Sequence, residues 1–466
     1  MSTKLHRYFL AQIILAVSLY CSAQSSTKLT RSLDSLVNSE MQKQNFPGLS
    51  LAVVRDGKIE YVKGYGFSNI EHQVPVKPET IFQSGSLGKQ FAAFAVMLLV
   101  EDGKMTLDDR LTKYFPDAPA EWNAITIKNL LTHTSGFGEY TDGFDLKKDY
   151  TEDNLYRIFR EKPLKFAPGE KSDYSNMGYA TLGIIISKVT GDFYGNFLKQ
   201  RIFDPLGMST ARVISESDII VNRAAGYRMV NGEIKNQEWV SPSVNSTADG
   251  SLYLTALDMA KWEAGLNAGK LLKRESYEAI FSPVKLNDGT TFPYGFGWRI
   301  NTLNGKRIFD HDGTWQGFES TIIRYPEKKI TVIVFANLIR TNTNRIAKRT
   351  MELYQPELKI TKLKPIKDNE PKVTALVKDF VTRVIEKTLV ADMFTPELGA
   401  EFIPQSEKTS AYLKKQVIFN GLELLDRKNL DSKTRMYHYR LHFSKESIEI
   451  LVTLTKNNKI SGIEGR

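Results

Sequence analysis

Two residues at the start of an apolar stretch have the types and the spacing needed for nucleophilic catalysis. Ser86 and Lys89 lie three residues apart, which places their side chains on one face of a helix. The residues from Phe91 to Leu99 are almost all apolar, so we predict a central, buried helix. Burial disfavours the ammonium form of a lysine, and a partly neutral amine can take the proton of a neighbouring hydroxyl. The pattern therefore predicts an activated serine for acyl transfer.

The Ser-x-x-Lys spacing is not specific by itself, because it recurs at residues 25–28 and 282–285. The first of these copies adjoins a predicted cleavage site, and the second contains Pro283. Neither opens an apolar helical stretch. The context therefore favours Ser86 over the other two serines.

A second group of polar residues lies on a predicted loop just before another helix. Tyr174 and Asn176 follow a Pro-Gly turn at residues 168–169. A phenol beside Lys89 can share or relay a proton, and an amide can bind a substrate carbonyl. Taken separately, these residues are better explained as a core tyrosine and a turn asparagine.

A third group lies on a predicted strand near the end of the first domain. His311 is followed two residues later by Gly313, where a missing side chain lets an extended substrate approach the strand edge. The backbone N–H of Thr314 could join that of Ser86 in an oxyanion hole. A strand-end histidine is the structural alternative. Three such features around one Ser-x-x-Lys pattern are much harder to explain by chance.

The elements that must position these residues follow from turns and periodicity. Two alternating apolar runs flank Asp56-Gly57, which is the signature of a β-hairpin. From about residue 79 to about residue 285 the pattern is helical with long loops, and strands return from residue 306 onward. A sheet that begins with one hairpin and is completed some 240 residues later implies an α/β layer with a helical insertion.

The first 23 residues have the composition of a secretory signal peptide cleaved after Ala23. Their apolar run is about 12 residues long, which is too short to span a membrane. Lipidation of Cys21 is the alternative. Because Cys21 is the only cysteine, the mature chain would have no disulfide, thiolate zinc site or cysteine nucleophile. We expect a periplasmic or secreted protein without a stable transmembrane segment after cleavage.

The composition describes a globular chain of two or three domains, with 466 residues of which 41% are hydrophobic and 25% charged. The formal charge of +10 arises from 63 Lys and Arg scattered among 53 Asp and Glu, so we expect no nucleic-acid partner. No His-Glu-x-x-His or comparable metal pattern occurs in the sequence. We expect no metal and no cofactor, and a small molecule or peptide as the substrate.

The domain boundaries follow from a change in composition and residue pattern near residue 354. We predict a catalytic domain over residues 24–354 and a linker rich in lysine and proline over residues 355–370. The remaining residues, 371–466, are predicted to form an α+β domain with a helix over residues 373–389 followed by short strands.

Over residues 30 to 345, the chain resembles the class C β-lactamase-related serine hydrolases and the low-molecular-weight penicillin-binding proteins. The resemblance rests on three motifs in the family's order and separation: Ser86-Leu87-Gly88-Lys89, Tyr174-Ser175-Asn176 and His311-Asp312-Gly313. It implies an α/β fold in which an antiparallel sheet is flanked by helices, with an all-α lobe and an active site in the cleft between them. The C-terminal domain lies outside this match, and its helix-then-strands order is similar to cystatin-like or nuclear-transport-factor-like folds.

The resemblance also implies roles for individual residues. Ser86 would be the nucleophile that forms an acyl-enzyme, Lys89 with Tyr174 the acid/base system, and Asn176 a residue that orients the substrate. The substrate would be a D-amino-acid peptide, a peptidoglycan fragment, an ester or an amide. The alternative is a penicillin- or muropeptide-binding protein that stays acylated and signals or scaffolds through its C-terminal domain.

The third motif departs from the family pattern. Many β-lactamases and D-Ala-D-Ala peptidases carry a lysine there, which helps to hold a substrate carboxylate, whereas this chain has His311. Efficient β-lactam hydrolysis is therefore not expected. An unperturbed histidine titrates near pH 6.5, so we expect His311 to offer a cation to a carboxylate only on the acid side. We predict His133, in Leu-Thr-His-Thr-Ser-Gly, to be a helix-end residue.

Overall fold

The computed structural model describes residues 27–139, 144–214, 217–244, 247–359, 363–430 and 433–465. The predicted signal peptide, residues 1–23, lies outside them. The chain divides into two compact units between residues 359 and 360. Among the helices described, none combines the length and the apolar character needed to cross a bilayer.

The first unit is built around a seven-stranded antiparallel sheet. The strands of the whole unit, in chain order, are β1 Gly48–Arg55, β2 Lys58–Asn69, β3 Val74–Pro75, β4 Phe82–Gln83, β5 Arg212–Val213, β6 Tyr227–Val230, β7 Glu233–Asn236, β8 Leu252–Leu254, β9 Val284–Lys285, β10 Thr291–Phe292, β11 Arg299–Leu303, β12 Lys306–Trp315, β13 Phe318–Tyr325 and β14 Ile330–Ala336. The main sheet has the order β11-β12-β13-β14-β1-β2-β3, and the other strands form small sheets of two or three strands.

Helices cover both faces of the main sheet. The helices of the unit are α1 over residues 27–44, then α2 Gly88–Glu101, α3 Ile127–Leu131, α4 Glu152–Arg160, α5 Asn176–Thr190, α6 Tyr194–Leu198, α7 Asp204–Leu206, α8 Ala256–Asn267, α9 Arg274–Ile280 and α10 Thr343–Tyr354. One apolar core lies between the sheet and the helical lobe that contains α2, α5 and α8. A second core lies between the opposite face of the sheet and α1 and α10. The predicted α/β fold, an antiparallel sheet flanked by helices, is confirmed.

The hairpin predicted at Asp56-Gly57 joins β1 to β2 in the structure. Both turn residues have positive φ, 49° and 74°, which an Asp-Gly turn accepts at low cost. β1 pairs with β14 on its other side. Strands distant in sequence are therefore hydrogen-bonded neighbours, as expected if the helical lobe is an insertion.

The second unit packs two helices against a four-stranded antiparallel sheet. The elements are α11 Pro371–Glu386, α12 Pro396–Lys414, β15 Phe419–Asn429, β16 Thr434–Phe443, β17 Ser447–Thr455 and β18 Ile460–Gly465, with the strands paired in chain order. The unit has its own apolar core. The sequence analysis did not predict α12. In this helix Pro396 occupies the first turn and Pro404 lies inside the helix, where a proline is normally unfavourable.

The linker predicted over residues 355–370 differs from the structure at its first residues. Pro356–Leu358 forms a short 3₁₀ helix, and Leu358 is fully buried in the core of the first unit. At the other end, the backbone N–H of Ile366 donates to the carbonyl of Leu424 within the second unit. Glu357 and Lys359 on either side of it are exposed, so an apolar side chain at one position reaches the core while its neighbours stay in solvent.

Candidate active site

The amine of Lys89 is the centre of the candidate site. Its side chain is 0% exposed, and Nζ donates to Ser86 Oγ at 3.0 Å and to Asn176 Oδ1 at 2.6 Å. A third bond goes to the backbone carbonyl of Asp249. Because an ammonium has three N–H donors, every donor has an acceptor, and this compensates the amine for its lost hydration.

Aromatic rings enclose the same amine. Nζ lies 4.9 Å from the ring centroid of Tyr174 and 5.5 Å from that of Tyr179, within the range of a cation–π interaction. Tyr174 is 40% exposed, so its ring lines the open side of the site. The structure thus brings Ser86, Lys89, Tyr174 and Asn176 together, and their catalytic roles stay predictions.

Asn176 is oriented by a carboxylate that the sequence analysis did not identify. Asn176 is the first residue of α5, and its backbone N–H and side-chain Nδ2 donate to the two oxygens of Glu139, each at 3.1 Å. This leaves Oδ1 of Asn176 directed at Lys89. Glu139 lies 37 residues away, and no motif or spacing in the sequence connects it to Asn176.

His133, predicted as a helix-end residue, packs against the second motif. The residue has φ of 58° just after α3, and its ring centroid lies 4.2 Å from that of Tyr174. The backbone N–H of Ser175 donates to His133 Nδ1 at 3.0 Å. Burial, together with the charge of Lys89, holds the pKa of His133 well below its usual value, so the ring is neutral. His133 is thus both a helix-end residue and a support for Tyr174.

The turn that carries Ser86 is held between two backbone segments. Ser84 Oγ donates to the carbonyl of Gly250 at 2.9 Å, and Ser320 Oγ on β13 donates to the carbonyl of Ser84 at 2.6 Å. Ser86 belongs to a 3₁₀ turn, Gly85–Leu87, that runs directly into α2. Ser86 is therefore fixed by neighbours on both sides rather than by the helix alone.

The third motif provides a strand edge beside this turn. β11 pairs with β12 from Lys306 to Asp310, so the segment containing Gly313 and Thr314 extends beyond its partner on that side. A Cβ added to Gly313 would lie 2.9 Å from the backbone nitrogen of Ser86 and would clash with the carbonyl of Ser84. Glycine thus lets the backbone carrying the Thr314 N–H approach that of Ser86, as the predicted oxyanion hole requires.

Gly313→Ala should therefore lower kcat by about a hundredfold, the usual loss for one oxyanion-hole donor. The added methyl group would push β12 away from Ser86 and misplace the Thr314 N–H. The measurement is kcat on any turned-over substrate, with the rate of fluorophosphonate labelling as a second readout.

Gly305→Ala is the matched control for that prediction. Gly305 lies in the turn between β11 and β12 with φ of 74°, but a Cβ there would meet nothing within 4 Å. We expect it to lower the melting temperature with little effect on kcat. Equal losses of kcat in the two variants would contradict the role given to Gly313.

His311 is buried, whereas the pH-dependent role predicted for it requires contact with the substrate and with solvent. The side chain is 2% exposed; Nδ1 lies 2.6 Å from the carbonyl of Asp312, and Nε2 lies 2.9 Å from the hydroxyl of Tyr294. A carbonyl only accepts, so Nδ1 carries the proton and Nε2 accepts from Tyr294. Burial and the charges of Arg299 and Lys89 lower the pKa of His311 to about 3. His311 is therefore neutral above pH 5, and the expectation that it offers a cation to a substrate carboxylate in mildly acidic solution is wrong.

A small cavity of about 40 Å³ lies beside Ser86. Its walls include Ser86, Asn176, Asp249, Gly250 and Trp315. The volume is close to that of one or two water molecules. No group of three or more His, Cys, Asp or Glu residues that could hold a metal ion occurs within the described ranges.

The family model for Beta-lactamase matches residues 33–354, and the chain belongs to this family. Penicillin-binding protein 4* of Bacillus subtilis is 31% identical over 323 residues, which cover 66% of this chain and 71% of that protein. Membership identifies the first unit as a serine hydrolase of the β-lactamase and penicillin-binding-protein fold.

Solved structures show the same fold. The octameric penicillin-binding protein homologue from Pyrococcus abyssi superposes with a TM-score of 0.65 at 22% identity, covering 93% of this chain and 100% of that one. D-amino acid amidase from Ochrobactrum anthropi, solved with L-phenylalanine amide, gives a TM-score of 0.63 at 23% identity, covering 71% of this chain and 100% of that one.

Proposed function

We propose that this protein is an exported hydrolase that cleaves amide or ester bonds of small acyl substrates through an acyl-enzyme on Ser86. The observation that carries the proposal is the hydrogen bond of 3.0 Å between Ser86 Oγ and Lys89 Nζ at the mouth of α2. Lys89 in turn contacts Asn176 and lies over Tyr174. A serine and a buried amine in this arrangement are the components of nucleophilic catalysis.

Acylation follows from this geometry. The reactive form has Lys89 as a neutral amine, in which the hydrogen bond runs from the Ser86 hydroxyl to Nζ. As Ser86 Oγ attacks the substrate carbonyl, its proton passes to the unit formed by Lys89 and Tyr174. The backbone N–H groups of Ser86 and Thr314 stabilise the negative charge on the carbonyl oxygen. The same unit then protonates the leaving amine or alcohol. The bond between the leaving group and the carbonyl carbon breaks as the carbonyl re-forms, and the acyl group remains on Ser86. Water, deprotonated by the unit, hydrolyses the acyl-enzyme and restores the serine.

The third motif favours leaving groups without a free carboxylate. His311 is buried and neutral, so it offers no cation where many relatives carry a lysine. Arg299, the neighbouring cation, is paired with Asp310 at 2.6 Å and with Asp312 at 2.5 Å. A simple amide or ester fits this environment better than a peptide ending in a carboxylate. The structural likeness to an amidase supports the same class.

A panel of acyl substrates tests the proposal on the purified mature chain. Matched pairs would share the acyl group and differ only in a free carboxylate on the leaving side, with D- and L-amino-acid amides, esters and muropeptides included. We expect repeated turnover and a preference for the uncharged member of each pair. One equivalent of product followed by no turnover would instead favour a binding protein that stays acylated. Failure to release any product would contradict hydrolysis.

Export rests on the N-terminal 23 residues, whose composition matches a secretory signal peptide. Fractionation of cells that express the full chain, with N-terminal sequencing of the product, tests this part of the proposal. We expect a mature chain that begins after Ala23 in the periplasm or the medium, which would also give a cell-wall fragment access to the site. An uncleaved cytoplasmic chain would contradict it.

A further inference from the structure

A buried carboxyl group lies directly behind the predicted oxyanion strand. Glu319, on β13, is 8% exposed and pairs across the sheet with Thr314 of β12. Its Oε2 accepts from the Thr314 hydroxyl at 2.7 Å, and its Oε1 accepts from the backbone N–H of Arg340 at 2.6 Å. One carboxylate thus ties β12 to the turn that follows β14.

The carboxylate acts from the face of β12 opposite the nucleophile. Successive side chains of a strand alternate between its faces. Gly313 and Trp315 face the site, since Gly313 abuts Ser84 and Ser86 and Trp315 lines the cavity at Ser86. Thr314 therefore points away, so Glu319 holds the residue whose backbone N–H faces the substrate without touching the substrate itself.

Charged side chains on β12 and after β14 act on the Glu319 carboxyl group. Asp312, one pleat along β12, repels the negative form, and Arg340 partly offsets this. Asp312 is itself compensated by Arg299 and by Asn344 of α10. Burial, as the largest cause, raises the pKa of the Glu319 carboxyl to about 7. The group therefore changes charge within the neutral range.

We propose that Glu319 is a positioning residue that holds the oxyanion strand in its active register only while its carboxyl group is ionised. The inference rests on the proposed hydrolase function of Ser86. The ionised group offers an acceptor to both Thr314 Oγ1 and the Arg340 N–H. Protonation turns one oxygen into a donor, so the bond from the Thr314 hydroxyl must reverse its direction or break. The segment that carries the Thr314 N–H then loses its support from behind.

Activity and folding stability should depend on pH in opposite directions, which distinguishes the proposed role of Glu319 from simple unfolding. Activity that requires ionised Glu319 falls as the pH drops through about 7. Stability moves the other way, because a carboxyl whose pKa is raised by folding binds its proton more tightly in the folded state. Its contribution is present at low pH and is lost as the pH rises from the unfolded value, about 4.3, towards the folded one.

The test compares the wild type with Glu319→Gln between pH 6 and pH 8. The glutamine resembles the protonated carboxyl, because it offers one acceptor to Arg340 and one donor to Thr314, but it does not titrate. We expect wild-type kcat to be about tenfold lower at pH 6 than at pH 8 with little change in KM. The Glu319→Gln profile should be flat over that interval, with kcat near the wild-type value at pH 6. Thr314→Val, which removes the hydroxyl, should also flatten the profile.

Two further measurements keep the outcomes distinct. The melting temperature of Glu319→Gln should exceed that of the wild type by more at pH 8 than at pH 6, and an equal difference would overturn the titration. The rate of fluorophosphonate labelling at Ser86 repeats the pH comparison without turnover. If the labelling rate falls at low pH in the wild type and falls equally in Glu319→Gln, this inference alone would be overturned. No labelling of Ser86 at any pH would overturn the proposed function and this inference together.

Discussion

Ser86→Ala should abolish covalent labelling by a fluorophosphonate probe and reduce turnover by about 10⁴-fold or more, as expected when a catalytic nucleophile is removed. The hydroxyl of Ser86 is the only atom group that the substitution removes. The turn around it is fixed by Ser84, Gly250 and Ser320, so the variant should fold normally. Digestion of the labelled protein followed by mass spectrometry locates the probe, and steady-state kinetics give the loss of turnover.

Ser282→Ala is the matched control, because Ser282 belongs to another Ser-x-x-Lys pattern. In the structure Ser282 Oγ donates to the carbonyl of Glu278 at 2.6 Å at the end of α9. We expect wild-type labelling and turnover in this variant. Attachment of the probe to Ser282 or Ser175 in the wild type would refute Ser86 as the nucleophile.

Lys89→Ala and Tyr174→Phe should each reduce turnover by about a hundredfold or more, the usual contribution of a general acid or base. Lys89 Nζ bonds to Ser86 Oγ and lies over the ring of Tyr174. Proton transfer through this pair requires both members. The double variant should therefore be little slower than either single variant, since residues that act as a unit lose activity non-additively.

The measurement is a double-mutant cycle on kcat/KM with one fast substrate. Lys89→Ala also removes one donor from Asn176 Oδ1 and one from the Asp249 carbonyl, so thermal unfolding must show that each variant is folded at the assay temperature. Losses that multiply in full would mean that Lys89 and Tyr174 work independently.

The elements that the sequence predicted are those controlled by local chemistry. The hairpin at Asp56-Gly57 needs two residues that accept positive φ, and the structure has them there. The helix after Ser86 is apolar on nearly every side, and from Gly88 to Leu99 it is buried throughout. In both cases a few neighbouring residues contain the whole signal.

The elements that the sequence did not predict depend on context. α12 forms around Pro404 because packing against the core of the second unit outweighs the local cost of a proline in a helix. Leu358 looked like part of a linker, but its side chain reaches the core between the sheet and α10. Local composition carries no information about a surface contributed by distant residues.

The sequence by itself determined which chemistry this protein has available. It contains no cysteine in the predicted mature chain, one Ser-x-x-Lys pattern that opens a buried helix, and a glycine where a substrate must approach a strand. Only the tertiary structure decided the electrostatic state of the site. Lys89 meets the Asp249 carbonyl across 160 residues, His311 is neutral because it is buried beside Arg299 and Lys89, and Glu319 supports the oxyanion strand from behind. The charge of a group depends on burial and on its nearest partners in space, and those arise from folding rather than from spacing along the chain.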